Sequence, residues 1–458
     1  MKKNFVWGTA TAAYQIEGGA FEGGRGFSIW DAFSRIPGRV LNMENGDVAC
    51  DSYHRYPEDI AMLRQLGVDA YRFSIAWPRI QPTGRGEPNP EGIAWYNRLI
   101  DSLLAAGITP YVTLYHWDLP LDLQMAHDGW LNREIVGDFS RYAEICFRAF
   151  GDRVKHWITF NEPWCVSVLG HGQGVFPPGR ISPDEPYVAA HNILLAHAEA
   201  VRVFRDSGRE GVIGITNNCD WREPLTDSAE DRAAAQRAVE FFYGWFTDPV
   251  VFGDYPTVMR ERLGKRLPEF TSRERELLTG SADFLGLNHY STLYASATPP
   301  PSNSDVGPNG NGGMSADQEV YYSTDPAWEQ TDMLWNIVPW GFRKMLNWIA
   351  ARYPGYPIYV TENGCACAEP DAISALNDDQ RCRFLKGYIG ALTDAIEEDG
   401  LDVRGYFCWS LLDNFEWAQG YSKRFGLIRC SPGSLERVPK KSFFVYRDLI
   451  RASALTRR

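Results

Sequence analysis

Two glutamates in strongly polar surroundings are the first residues whose type and setting could do chemistry. Glu162 lies in the run Thr159–Pro163 (TFNEP) and Glu362 in the run Tyr359–Gly364 (YVTENG), each at the end of a short β-branched and aromatic segment. One carboxyl group that donates a proton and one carboxylate that attacks are the pair required to cleave a glycosidic bond. Taken singly, either glutamate could equally form an ion pair or cap a helix. The pair is informative only if the fold brings both side chains to one site.

The elements that must position these glutamates follow from an alternation of apolar segments along the chain. Short β-branched and aromatic runs alternate with longer segments in which apolar residues recur every three or four positions, which is typical of strands followed by helices. Eight such repeats predict a parallel sheet closed into a (β/α)8 TIM barrel with extended βα loops. The predicted strands are Phe5–Thr9, Ala70–Trp77, Thr109–Trp117, His156–Asn161, Val212–Asn217, Phe284–Tyr290, Ile358–Glu362 and Gly405–Leu411. The predicted helices are Glu58–Leu66, Ile93–Ala105, Arg133–Phe150, Ala189–Phe204, Glu230–Trp245, Gly341–Arg352 and Gln380–Glu397.

One barrel accommodates the whole chain of 458 residues, because no break in composition divides it. We therefore predict a single catalytic domain over residues 1–458. The one stretch rich in Pro, Gly and Asn, residues 299–313, follows the sixth predicted strand. We interpret residues 297–325 as a mobile βα loop within the barrel, not as a linker between domains.

Polar residues cluster where the predicted strands end, which is where barrel enzymes carry their active sites. Strand three ends at His116, strand four at Asn161 and Glu162, strand six at Asn288, and strand seven at Glu362. Strands four and seven are not neighbours in an eight-stranded barrel. Glu162 and Glu362 are therefore predicted to face each other across the mouth of the barrel.

The composition argues against some classes of binding partner and leads to an expectation about where the protein is located. The net charge is −12 and no block of Lys or Arg stands out, so nucleic acid and anionic membranes are not expected partners. The sequence has neither the apolar region of a secretion signal nor an apolar run of about 20 residues, which leads us to expect a cytoplasmic protein. Nine cysteines without a second pair at zinc spacing indicate reduced core thiols. The 14% aromatic content, with 16 Trp, fits either a large core or a surface for stacking sugar rings.

Seven motifs spread over the whole chain resemble glycoside hydrolase family 1, the family of the β-glucosidases. They occur here in the order of the family, and each of the longer ones is specific on its own. The resemblance implies one (β/α)8 barrel, retention of anomeric configuration, no metal and no cofactor. The motifs are Phe5–Gly18, Tyr71–Trp77, His116–Pro120, Thr159–Pro163, Leu287–Tyr290, Val360–Gly364 and Trp409–Trp417.

The resemblance also implies catalytic roles for individual residues. Glu162 matches the acid/base of the family and Glu362 matches its nucleophile. Arg72, Tyr290 and Asn288 match supporting positions, with the guanidinium beside the nucleophile and the phenol hydrogen-bonded to it. A fixed positive charge would keep a nucleophilic carboxylate ionised, whereas desolvation would keep the acid protonated.

Further matches predict how the sugar and the leaving group would be bound. Alone, each of these residues could equally be a packing residue, so the assignment rests on the motifs around them. The resemblance further implies a cis peptide bond between Trp409 and Ser410. Positions matching the sugar-binding side are Gln15, His116, Trp117, Asn161, Trp409, Glu416 and Trp417. Positions matching the aglycone side are Trp164, Leu169, Asn217 and Trp328.

From these residues we expect a retaining exo-β-glucosidase that hydrolyses β-glucosides and cello-oligosaccharides by double displacement. A preference for β-galactosides or β-fucosides is an open alternative, as is oligomeric state. A non-catalytic sugar-binding barrel would lack one carboxylate, and a metal-dependent hydrolase would need clustered His or Asp ligands, of which the eight His give no sign. Glu162 argues against the myrosinase-like branch, and Glu416 against the phosphoglycosidase branch.

Overall fold

Eight parallel strands close into a barrel in the computed structural model, which describes residues 5–299, 314–369, 371–431 and 433–453. In chain order the strands of the described residues are β1 (Val6–Ala10), β2 (Ala70–Ser74), β3 (Thr109–Tyr115), β4 (His156–Asn161), β5 (Val212–Asn218), β6 (Trp221–Pro224), β7 (Leu285–Asn288), β8 (Thr292–Ser296), β9 (Tyr321–Ser323), β10 (Ile358–Asn363), β11 (Val403–Trp409), β12 (Ile428–Cys430) and β13 (Arg437–Pro439). The barrel runs β1, β2, β3, β4, β5, β7, β10, β11, and β11 pairs with β1 to close it. The predicted (β/α)8 TIM barrel is confirmed.

Helices follow the barrel strands and cover their outer faces. The α-helices are α1 (Ala13–Ile16), α2 (Ile29–Phe33), α3 (Ser52–Leu66), α4 (Trp77–Ile80), α5 (Pro90–Ala105), α6 (Leu121–His127), α7 (Ile135–Phe150), α8 (Glu185–Asp206), α9 (Ala229–Val239), α10 (Trp245–Phe252), α11 (Thr257–Leu263), α12 (Ser272–Leu278), α13 (Met314–Asp317), α14 (Pro339–Arg352), α15 (Ala372–Leu376), α16 (Asp379–Glu397) and α17 (Lys441–Ala452). Short 3-10 helices are Leu41–Met43, Gly129–Leu131, Gly264–Arg266 and Trp417–Gln419, and π-helices are Cys165–Gly172 and Glu240–Gly244. No helix within the described ranges is long and apolar enough to cross a bilayer.

The predicted elements differ from the observed ones mainly at their ends. The second strand ends at Ser74, not at Trp77, because Trp77 already begins α4 with Pro78 in its first turn. The predicted helix over residues 230–245 is divided, since a π-helical segment separates α9 from α10. Helix α17, which follows β11 and completes the eight repeats, was not predicted.

A small second sheet stands beside the barrel mouth and was not predicted either. In it β6 pairs in parallel with β8, and β8 pairs antiparallel with β9. This sheet overlaps the segment 297–325 that the sequence predicts to be a mobile loop. Residues 300–313 lie outside the described residues, and the rest of the segment contains α13 and β9.

Bulky side chains fill the inside of the barrel. The Tyr111 ring lies 4.8 Å from that of Phe407, and the Phe284 ring lies 5.1 Å from that of Tyr359, measured between centroids. All four side chains belong to one buried cluster that reaches up to Trp409. The barrel therefore has a packed interior, and a cavity can open only at its rim.

Candidate active site

A cavity of about 390 Å³ opens at the carboxyl ends of the barrel strands, as predicted. Its wall contains Glu162 and Glu362 together with Trp409, Glu416 and Trp417. The volume is that of a pocket for a small molecule, and the wall combines aromatic faces with a few polar groups. The structure therefore brings the two candidate catalytic glutamates into one binding site.

Glu362 is held by two donors at the end of β10. Arg72 Nη1, from β2, donates to Glu362 Oε1 at 2.6 Å, and the Tyr290 hydroxyl donates to Glu362 Oε2 at 2.6 Å. The Arg72 side chain is itself buried and fixed, since its Nη1 also donates to the Thr361 carbonyl at 3.0 Å. These contacts fix both carboxylate oxygens, which suits a group that must attack in one direction.

Glu162 lies at the end of β4 in a different environment. Its backbone is in the left-handed region with φ 48°, an uncommon conformation for a non-glycine residue that is often found at active sites. Asn288 Nδ2 donates to Glu162 Oε1 at 2.7 Å, and Cys165 Sγ donates to Glu162 Oε2 at 3.0 Å. Burial raises the pKa of Glu162 to about 8, and the negative charge of Glu362 adds to the rise. Burial therefore favours the protonated form of Glu162, the form that a general acid needs.

Two asparagines connect the surroundings of the glutamates. Asn161 Oδ1 accepts from Arg72 Nη2 at 2.6 Å and from Asn288 Nδ2 at 3.0 Å. Asn288 Oδ1 accepts in turn from the Thr361 hydroxyl at 2.7 Å. Because its oxygen is occupied, Asn161 directs its Nδ2 to His116 Nε2 at 3.1 Å. One hydrogen-bond network thus spans the floor between the two candidate catalytic groups.

His116 is neutral in this network. Burial, with the positive charge of Arg72, holds the pKa of His116 well below its usual value. Since Nε2 accepts from Asn161, the proton is assigned to Nδ1. That nitrogen has no partner among the described residues. His116 Nδ1 is therefore a donor available to a ligand.

Gln15 and Glu416 meet at the inner end of the cavity. Gln15 Nε2 donates to the Phe415 carbonyl at 2.8 Å and to Asn414 Oδ1 at 3.0 Å, and lies 3.5 Å from Glu416 Oε2. Gln15 Oε1 has no partner within the described part of the chain. Burial raises the pKa of Glu416 to about 8, with further contributions from the charges of Glu362 and Glu162, although part of the side chain remains accessible from the cavity. The carboxyl of Glu416 and the free amide oxygen of Gln15 suit hydroxyl groups, which donate and accept.

Aromatic rings complete the sugar-binding side. The His116 ring lies nearly parallel to the Trp409 ring at 5.9 Å and to the Trp417 ring at 5.8 Å, between centroids. Trp117 donates its indole N–H to the Asn161 carbonyl at 2.9 Å, and the Trp409–Ser410 peptide bond is cis, as the resemblance implied. Gln15 and Asn161 lie fully buried directly behind the wall, whereas the three tryptophans and His116 line it.

Of the four residues predicted for the aglycone side, two line the cavity. Trp164 and Leu169 line the cavity, and Trp164 stacks on Phe242 at 4.5 Å between centroids. Asn217 does not reach the cavity, because its Nδ2 donates to the Thr247 hydroxyl at 2.9 Å. Alternation along β5 turns the next residue, Asn218, into the cavity wall.

Trp328 is also placed elsewhere. Its ring stacks on Tyr294 at 4.8 Å and lies 6.1 Å from Trp340, and it is not part of the cavity wall. A different tryptophan, Trp335, lines the cavity. Trp328 precedes Trp335 by seven residues, and nothing in their spacing distinguishes the two.

Sequence reasoning missed several further residues of the cavity wall. Cys165 could have been found, since it stands three residues after Glu162 at the start of a helical segment. Asp220 and Arg222 follow β5 and carried no motif signal. Within the described residues, no group of three or more His, Cys, Asp or Glu side chains is arranged to hold a metal ion.

Comparisons with known proteins agree with this site. The model of the family described as Glycosyl hydrolase family 1 matches residues 1–454. Beta-glucosidase 42 of Arabidopsis thaliana is 49% identical over 460 residues, covering 98% of this chain and 93% of that protein. Beta-glucosidase 34 of Oryza sativa subsp. japonica is 45% identical over 469 residues, covering 98% of this chain and 92% of that protein.

Solved structures are similar over the same length. A mutant rice β-glucosidase in a covalent complex with Glc is 46% identical, with a TM-score of 0.93 and 98% of both chains covered. A β-glucosidase from the fungus Humicola insolens in complex with glucose is 44% identical, with a TM-score of 0.92 and again 98% of both chains covered.

Proposed function

The chain belongs to glycosyl hydrolase family 1 and is a β-glucosidase, and from this premise we propose that it is a retaining, exo-acting enzyme. Its substrates are β-glucosides and cello-oligosaccharides, which it cleaves through a covalent glycosyl-enzyme. The observation that carries the proposal is the contrast between the two glutamates. Glu362 is fixed between Arg72 and Tyr290, whereas Glu162 has its pKa raised to about 8 by burial.

In the first step Glu362 attacks the anomeric carbon while Glu162 gives its proton to the departing oxygen. The C–O bond to the aglycone breaks, and an ester bond between Glu362 and the sugar forms. Arg72 and Tyr290 hold the attacking carboxylate in place throughout. The covalent complex with Glc of the rice relative supports an intermediate of this kind.

In the second step water replaces the aglycone. Glu362 is now an uncharged ester, so the Coulombic contribution that raised the pKa of Glu162 is gone. Glu162 therefore ionises more readily than in the free enzyme, and its carboxylate takes a proton from the attacking water. The water oxygen bonds to the anomeric carbon, Glu362 leaves, and the sugar keeps its configuration.

Action at chain ends is supported by the closed inner end of the cavity. Gln15 and Glu416 meet there, and the barrel interior beneath is filled by rings such as those of Tyr111 and Phe407. A sugar chain cannot pass through this wall. Only a terminal sugar unit fits, with its aglycone directed toward Trp164.

The proposal is tested by following the product and the substrate range together. Proton NMR of a 4-nitrophenyl β-glucoside reaction should show β-glucose before mutarotation, with Glu362→Gln, which lacks the nucleophile, as the inactive control. Initial appearance of α-glucose would mean inversion and would refute the mechanism. Rates on cellobiose and on the 4-nitrophenyl β-galactoside and β-fucoside then establish the preferred sugar.

A further inference from the structure

Arg222 is a buried cation in the wall of the cavity that the mechanism does not use. It lies in β6 with only 5% of its side chain exposed. Its guanidinium carbon is 5.1 Å from the centroid of the Phe242 ring and 5.0 Å from that of Tyr322. Contacts with two aromatic rings hold the planar group in one orientation.

Two donor nitrogens of this guanidinium have no acceptor among the described residues. Arg222 Nε and Nη1 make no hydrogen bond, and Asp220 Oδ2 is 3.9 Å from Nη1, beyond hydrogen-bond distance. Folded proteins rarely leave buried donors of a charged group unpaired, because the cost of removing them from water is not recovered. Unpaired donors in the wall of a binding cavity therefore indicate a ligand group that accepts.

Beside Arg222, the carboxylate of Asp220 offers a hydrogen-bond acceptor. Its Oδ1 accepts from the backbone N–H groups of Tyr290 at 3.1 Å and of Ser291 at 2.8 Å, which fix the carboxylate. Its Oδ2 takes part in neither bond, and 30% of the side chain is exposed. Asp220 and Arg222 both line the cavity, so an acceptor and a donor stand side by side in its wall.

We propose that Asp220 and Arg222 form a binding site for a sugar aglycone, which they hold through two neighbouring hydroxyl groups. One hydroxyl donates to Asp220 Oδ2, and the other accepts from the free nitrogens of Arg222. This inference rests on the proposed hydrolysis of β-glucosides and specifies which leaving group the cavity favours. The second sugar of cellobiose has the required pair of hydroxyls.

The same two residues disfavour the other kinds of aglycone. A carboxylate would accept from Arg222 but would lie against the Asp220 carboxylate, and like charges repel. A purely apolar aglycone would leave both polar groups desolvated and unpaired. A sugar satisfies both groups, and its C–H face can pack on the neighbouring stack of Trp164 and Phe242.

The test compares two substrates with saturated six-membered leaving groups, cellobiose and cyclohexyl β-glucoside, of which only the first carries hydroxyls on that ring. Arg222→Met should lower the ratio of kcat/KM for cellobiose to that for cyclohexyl β-glucoside by about ten- to a hundredfold, the value of hydrogen bonds to a charged group. Arg222→Lys keeps the positive charge but lacks the planar set of guanidinium donors. Its ratio of kcat/KM values should lie between those of the wild type and Arg222→Met. The matched control is Lys344→Met. Lys344 pairs with Glu223 next to Arg222 but lies outside the cavity wall, and this surface change should move the ratio by less than about twofold.

Asp220→Asn tests the acceptor half and keeps the inference falsifiable if Arg222→Met does not fold. It should also lower the ratio of kcat/KM for cellobiose to that for cyclohexyl β-glucoside. Because it removes the carboxylate that repels an anionic aglycone, it should raise the rate on 4-carboxyphenyl β-glucoside relative to phenyl β-glucoside. Equal losses on cellobiose and cyclohexyl β-glucoside in these variants would overturn the inference while leaving the proposed function intact. So would a loss in Arg222→Met confined to the carboxyphenyl substrate, which would indicate an anion site. A wild-type protein inactive on every β-glucoside would instead overturn the proposed function itself.

Discussion

Neutralising Glu362 should lower the pKa of Glu162, because the charge of one carboxylate disfavours ionisation of the other. In the structure the pKa of Glu162 is raised to about 8, first by burial and then by Glu362. Glu362→Gln removes the second contribution and keeps the first. It also frees the positive charge of Arg72 from its partner, which acts in the same direction.

The size of the fall follows from Coulomb's law. Carboxyl groups of a retaining pair lie about 5.5 Å apart, and at an effective dielectric constant of about 20 two unit charges at that distance interact by about 3 kcal/mol. One pKa unit corresponds to about 1.36 kcal/mol, so the pKa of Glu162 should fall by roughly two units. The wild-type kcat/KM should accordingly decline as pH rises through about 8, where free Glu162 loses its proton.

The assay is a titration by 13C NMR with carboxyl-labelled glutamate. The Glu162 resonance is assigned by subtracting the spectrum of the double variant Glu362→Gln, Glu162→Gln from that of Glu362→Gln. Asp220→Asn, which removes a carboxylate of the same cavity that does not contact Glu162, is the control and should move the pKa less. If the pKa of Glu162 in Glu362→Gln stays near 8, burial alone accounts for it, and the proposed change of role from acid to base loses its electrostatic basis.

Three further predictions concern single residues. Glu362→Gly should lose nearly all activity, and azide entering the vacated space should restore turnover with α-glucosyl azide as the product; formation of the β-azide, identified by NMR, would contradict the assignment. Cys165→Ala removes a hydrogen bond that lowers the pKa of Glu162, so the alkaline limb of the kcat/KM profile should move up by up to about one unit; a move toward lower pH would refute this role. Glu416→Ala should lower kcat/KM for 4-nitrophenyl β-glucoside about ten- to a hundredfold, because it removes both oxygens that can hydrogen-bond the sugar hydroxyls; a loss below about twofold would place those hydroxyls elsewhere.

Sequence reasoning succeeded where a pattern extends over many residues. The eight strand and helix repeats each supply several apolar positions, so single errors at their ends, such as Trp77, do not change the barrel. Once the barrel is known, the ends of β4 and β10 must share its mouth. The hydrogen bonds of Glu362 with Arg72 and Tyr290 then agree with the roles that the motifs implied.

Sequence reasoning failed where the role of a residue depends on the direction in which its side chain points. Asn217 and Asn218 are adjacent and identical, and the pleat of β5 sends the first toward Thr247 and the second to the cavity. The sequence does not reveal that Arg222 has unpaired nitrogens. Its guanidinium is surrounded by the rings of Phe242 and Tyr322, which come from distant segments of the chain. Such features depend on tertiary packing, which local patterns do not encode.

The filled interior of the barrel has a consequence for the order of events during turnover. Because rings such as those of Tyr111 and Phe407 fill the barrel beneath the cavity, substrate and products cannot pass through the barrel interior and must enter and leave at its rim. The aglycone must depart before water can reach the esterified sugar, and glucose, bound innermost, is always the last to leave. Any alcohol waiting in the aglycone position competes with water for the same carbon. Because products leave through the same rim, product release is ordered. At high alcohol concentration the alcohol replaces water in the second step, and a new glycoside forms.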